Sequence, residues 1–173
     1  MITLGLFILL IVSQAALLSK ANDKWWKILI PFYGEYSMYK IANKKILWFV
    51  KFIVSILAII TFIVMFVNFA NILLQITDSY NVNTIETNKI INVFIENVAS
   101  NQALIISFSL LSMLSLISDV IRIIYYVGLS NSFGKPGVFA VGLFFLNVIF
   151  LAILAFMKDT KYVGNEELIE EAC

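Results

Sequence analysis

Apolar residues dominate four long stretches that contain no Asp, Glu, Lys or Arg, at 1–19, 52–77, 97–118 and 136–157. A helix that crosses a bilayer needs about 20 predominantly apolar residues. The candidate cores run at 2–18, 52–74, 103–124 and 138–156, the third extending past its charge-free stretch to take in Asp119 and Arg122. Backbone amides cannot stay unpaired in hydrocarbon, so each core is expected to be helical. The pattern predicts an all-α fold: an integral membrane four-helix bundle with interfacial amphipathic segments, forming a single membrane domain over 1–173.

Polar segments separate these cores. The loop 19–45 interleaves lysines with Trp25, Trp26, Tyr33, Tyr36 and Tyr39. Aromatic rings of this kind favour the headgroup level, and lysines favour anionic lipid heads. Pro31 and Gly34 interrupt it, which predicts two short segments around a bend. It reads either as a connector hugging the membrane or as a docking platform. The loop 75–102 carries Ile91, Phe94, Ile95 and Val98 at helical spacing, after an Asn83–Glu86 pair that resembles a capping box. An amphipathic helix on the membrane surface fits that pattern. The tail 158–173 is acidic and ends in Cys173, the one cysteine.

Composition narrows the class further. Of 173 residues, 61% are hydrophobic and 13% charged, with a net charge of +1, and mean hydropathy is +0.95. A soluble domain has nearly twice that charged fraction, and a disordered chain has far fewer apolar residues. The absence of His, together with a lone Cys, removes His- or Cys-based metal sites and disulfide frameworks. With four crossings, nine Lys and Arg fall on the side of the 19–45 loop and three on the other. Positive residues favour the cytoplasm, so both termini are expected outside it, with the first segment a retained helix.

Ionisable groups at membrane depth are candidates for function. Asp119 and Arg122, three residues apart, can pair on one helical face, and Lys51 lies at similar depth where it could reach Asp119. This group reads either as an interfacial salt bridge with a snorkelling Arg or as a gate. Asn147 falls at the centre of the fourth core. Serines at 107, 109, 112, 115 and 118, with Thr61, Asn68 and Asn71, suit close helix packing or a polar path. No base, phosphate loop or carboxylate pair is placed for catalysis, so no catalytic, cofactor-binding or metal-binding residue is expected. Nucleic-acid binding is not expected either, because the basic residues sit among membrane-seeking ones.

Two stretches carry a family resemblance. Residues 24–36, KWWKILIPFYGEY, resemble the "GWKALIPxYNxY" signature of a widespread bacterial family of small polytopic membrane proteins of unknown function, and IANKK at 41–45 matches its "IAGK". FGKPGVFAVGL at 133–143 is similar to "FGKxxGFxLGL", with Tyr162-Val163-Gly164 at the closing "YxG". Gly34 stands where the family has Asn, and Asn147 and Ala152 stand where its fourth helix commonly has prolines. That difference predicts a straighter fourth helix here. Similar modules occur joined to signal peptidase I, so the resemblance implies a cell-membrane location and a link to the envelope or export machinery.

The expected role is a non-catalytic accessory or scaffold subunit that binds the bilayer and another membrane protein, or associates with itself. The alternative is a small homo-oligomeric channel or transporter component. Interfacial docking is expected of Trp25, Trp26, Pro31, Tyr33, Glu35, Tyr36, Gly134 and Lys135. A third possibility is chemistry at the headgroup level, with Glu35 as the acid.

Overall fold

The computed structural model describes residues 2–79, 87–158 and 160–164, and these are helical without strands. The helices are α1 (Ile2–Lys20), a 3-10 helix (Trp25–Leu29), α2 (Tyr33–Ile41), α3 (Lys45–Ser79), α4 (Thr87–Ser100), α5 (Gln102–Ser132), α6 (Val138–Phe145) and α7 (Asn147–Phe156). Three of them hold windows long and apolar enough to cross a membrane: Thr3–Lys20, Lys45–Thr77 and Gln102–Ser132. Only 17%, 6% and 22% of these windows are buried, so their apolar side chains face outward. In water that arrangement would be untenable; in lipid it is the expected state of a spanning helix. The chain reads as a membrane protein.

Residues 1–51 and 119–173 form one compact unit, and residues 52–118 form another. Within the second unit, Phe94 of α4 meets Phe69 of α3 edge-on at 6.0 Å. Asn101 caps α5 by accepting the Leu104 amide at 3.1 Å. Hydroxyls expected to bind across helices turn back on their own: Thr61 donates to Leu57 O, Ser107 to Ala103 O, Ser112 to Ser109 O and Ser115 to Ser112 O, at 2.7–2.8 Å. The Asn83–Glu86 pair and most of the acidic tail, including Cys173, lie outside the described residues.

In the first unit the fourth apolar core departs from the single helix expected of it. The segment 138–156 is not one rod but two short helices, broken at Leu146 (φ −124°, ψ 51°). In a continuous helix Phe139 and Phe150 would stand about 16 Å apart along the axis; their rings lie 5.0 Å apart. The segment therefore folds back as a hairpin. Gly142 permits it, because a Cβ there would sit 2.1 Å from the Phe150 ring. The missing prolines do not straighten this segment: the turn rests on Gly142 and the Leu146 backbone instead. Leu143, Leu151 and Leu154 of the hairpin are buried with Leu17 and Leu18 of α1, the helix against which α7 packs.

Where the hairpin returns, α1 holds it. Lys20 Nζ donates to Leu154 O at 3.2 Å, Met157 O at 2.8 Å and Thr160 Oγ1 at 2.7 Å. A cation on the last carbonyls of a helix satisfies acceptors that have no intrahelical partner and opposes the helix dipole. Val163 N then donates to Ser132 O at 2.8 Å, and Lys135 Nζ reaches Met157 Sδ at 3.1 Å. Met157, Thr160 and Val163 thus lie beside Lys20 and the end of α5, rather than at the far end where a fourth crossing would leave them.

Three helix ends gather here, and all stop in the same way. Asn22, Asn43 and Gly134 have φ of 57°, 55° and 66°. The following amides fold back on α1, α2 and α5: Asp23 N to Leu18 O, Lys44 N to Tyr39 O and Lys135 N to Ser130 O, at 2.8–3.0 Å. This is the Schellman arrangement, which Gly and Asn accommodate best.

The hairpin gives a direct test. Gly142→Val should lower stability by about 1–3 kcal/mol through the clash with Phe150. Combining it with Phe150→Ala should recover part of that loss. Thermal unfolding of detergent-solubilised protein, followed by size-exclusion fluorescence, measures both.

Candidate functional site

A cavity of about 580 Å³ opens in the first unit. Its polar walls come from five elements: Gln14 of α1, Glu35 and Tyr39 of α2, Lys51 of α3, Arg122, Tyr125 and Tyr126 of α5, and Asn147 at the start of α7. Ile28, Ile30, Pro31, Phe32 and Phe144 are among its apolar walls. Its volume suits a small ligand.

Local sequence places each group. Gly34 lets α2 approach the 3-10 helix closely, since a Cβ there would come within 2.7 Å of Ile28 Cα. Asp23 ties the same turn by accepting from the Lys24 amide at 2.7 Å and from Lys27 Nζ. Phe32 starts α2 in a γ-turn, with φ 64° and ψ −41° and the Tyr33 amide donating to Pro31 O at 2.7 Å. A bulky residue rarely adopts that conformation, so strain of order 1–3 kcal/mol is held at the cavity rim. Arg122, Tyr125 and Tyr126 are spaced so that one helical face carries the guanidinium and both rings toward the cavity.

The charges do not pair as expected. Lys51 does not reach for Asp119; its ammonium pairs with Glu35 and lies 5.7 Å above the Tyr39 ring. Tyr39 in turn stacks on Tyr125 at 4.3 Å. Burial, then the negative charge of Glu35, pushes the Tyr39 phenol well above the ordinary tyrosine range. Asp119 and Arg122 do lie together, but at 3.6 Å with both side chains about half exposed, 47% and 51%. That is a loose pair beyond hydrogen-bond length, of little energetic weight. Asn147 Oδ1 is buried with no hydrogen-bond partner among the described residues.

The structure therefore brings Lys51, Arg122, Asn147, Glu35 and Pro31 to one cavity and leaves Asp119 off its wall. Trp25, Trp26 and Tyr33 form an exposed shelf outside it. Tyr36 instead packs into an aromatic group, 5.4 Å from Trp48 and 6.2 Å from Phe49. Gly134 and Lys135 belong to the α5 stop and its brace, a structural duty. Sequence reasoning missed Gln14, Tyr125 and Tyr126. The available signals were a lone amide in an otherwise apolar helix and a Tyr-Tyr pair one turn beyond Arg122.

Residues 82–165 match a family of unknown function, DUF5684. The match takes in α4 to α7, and so Arg122, both tyrosines and the whole hairpin. No curated protein and no solved structure matches the chain. Among the described residues, no cluster of His, Cys, Asp or Glu could hold a metal ion.

Tyr162 straps the chain behind the hairpin to α2, donating to Ile41 O at 3.1 Å and meeting the Phe133 ring edge-on at 5.4 Å. Burial, with the nearby Asp23 charge, raises its pKa to about 12 from the ordinary 10.0. A raised tyrosine pKa favours the neutral folded form. Its stabilising contribution is therefore complete below pH 10 and lost as pH climbs toward 12. Tyr162→Phe should cost about 1 kcal/mol at neutral pH and flatten part of the decline above pH 10. Unfolding measured across pH 7–12 reads both effects.

Proposed function

We propose that the protein is a non-catalytic, multi-pass protein of a bacterial cell membrane, acting as an accessory or receptor subunit beside another membrane protein of the envelope. The observation that carries this reading is the chemistry of the cavity. Among the described residues its one carboxylate, Glu35, is tied to Lys51, and its hydroxyls are phenols. Those groups suit recognition rather than bond making. The exposed shelf of Trp25, Trp26 and Tyr33 supplies a surface at headgroup level for the partner or the lipid around it.

The hairpin supports one sidedness over the other. With three crossings and a segment that returns to its own side, Lys158 and Lys161 join the basic loop, and Lys and Arg divide eleven to one. The positive-inside rule then puts the N-terminus outside and the residues after α7 inside. In cells expressing a Cys173→Ser background, cysteines at Lys40 and Lys161 should resist a membrane-impermeant maleimide while one at Lys89 reacts. Labelling at Lys161 but not at Lys40 would restore a fourth crossing.

A second reading, a channel or transporter component, is favoured by one feature. The hairpin break places Asn147 and the start of α7 beside a polar cavity, as discontinuous helices do in many transporters. Isolation from native membranes in mild detergent, with cross-linking, separates the two. A stoichiometric partner protein is the expected result. A homo-oligomer whose flux in liposomes falls with Asn147→Leu would overturn it in favour of transport.

A further inference from the structure

The cavity is charged unevenly. Lys51 is neutralised by Glu35 and engaged with the Tyr39 ring, whereas among the described residues Arg122 pairs loosely with Asp119, a residue outside the cavity wall. The remaining polar lining is neutral: phenols from Tyr39, Tyr125 and Tyr126 and amides from Gln14 and Asn147. Two cations and one acid facing the space leave it with a surplus positive charge.

A guanidinium presents a planar fork of donors that matches two oxygens of a phosphate, and such a bidentate contact is among the stronger hydrogen-bonded pairs. Phenol and amide N–H or O–H groups donate to the oxygens that the fork does not take. Asn147 also lines the cavity, and its amide, a donor and an acceptor in one group, suits a hydroxyl or amine on the same ligand. Ile30 and Phe32, which also line the cavity, are both exposed and offer apolar surface where such a headgroup would join an acyl chain. Basic pockets between helices on the cytoplasmic side are also where anionic lipid heads are held.

The geometry points to this cavity as a binding site for a phosphate group carrying a hydroxylated substituent, clamped by Arg122, with Asn147 reading the hydroxyl. The chemistry is shared by the headgroup of an anionic glycerophospholipid and by a free glycerol phosphate. The inference rests on the reading of the cavity as a recognition site, and says nothing of the partner protein.

The test uses the full-length protein, delipidated in a neutral detergent. Phosphatidylglycerol, phosphatidylcholine, glycerol 3-phosphate and inorganic phosphate are titrated separately, with binding read by native mass spectrometry and by the shift in melting temperature. Saturable binding of phosphatidylglycerol over phosphatidylcholine is expected. Arg122→Gln should weaken it about tenfold, and Arg122→Lys less, because one point charge replaces a fork. Asn147→Leu should narrow the preference for phosphatidylglycerol over a lipid without headgroup hydroxyls, phosphatidic acid. Asp119→Asn should leave binding intact or tighten it, which checks that any nearby change of charge is not enough. Competition by glycerol 3-phosphate assigns the site to a free metabolite, and its absence assigns it to the lipid; either supports the site. Binding of no probe, or equal binding by folded Arg122→Gln, overturns it. If binding fails while the partner protein still co-purifies, the phosphate site is lost and the accessory role stands.

Discussion

Hydrocarbon offers nothing to an unpaired amide or carbonyl, and that constraint governs the first unit of this protein. A helix broken at membrane depth frees backbone groups, so the break must be enclosed by protein or face water. At Leu146 and Asn147 the chain meets the condition in both ways. The hairpin is packed on α1 through Leu151 and Leu154, and its turn borders a polar cavity. The cavity and the break are therefore a single solution to one problem. Polar groups from α1, α2, α3 and α5 line the same space.

Much of this was legible in the chain. Three of the four apolar cores became long helices, since continuous apolar sequence leaves few alternatives in lipid. The bend at Pro31 and Gly34 was also readable, because proline and a close-packed glycine act locally. The hairpin was not. Residues 138–156 are as apolar as a true span, and hydropathy records solubility in lipid without recording direction. What turns the chain is Gly142, whose importance lies in a contact with Phe150 eight residues later. No rule of helical periodicity places those two residues together.

The site was half visible for a related reason. Ionisable residues stand out in apolar sequence, so Lys51, Arg122 and Asn147 were found, but pairing is a matter of three dimensions. Glu35 reads as a loop residue, yet α2 carries it to Lys51, and Asp119 is left with Arg122. The motif residues gain a physical meaning as well. Asn43 stands where the resembling family has Gly, and both tolerate the left-handed turn that ends α2. Gly134 serves α5 likewise, and Tyr162 ties the closing motif to the carbonyl of Ile41. These positions hold the frame on which the cavity is mounted.

The anchor at Lys20 has a mechanical consequence. With 19 residues, α1 is about 28 Å long, barely the thickness of a hydrocarbon core, so it has little freedom to lean. The 31 residues of α5 and the 35 of α3 have length to spare and can tilt to suit a thinner or thicker bilayer. Because Lys20 at the end of the short helix holds Leu154 O of α7 and Met157 O and Thr160 Oγ1 just beyond it, the place of Asn147 along the first unit is set by α1. The hairpin turn thus keeps its distance from the Lys20 end of α1, whatever the thickness of the bilayer around it.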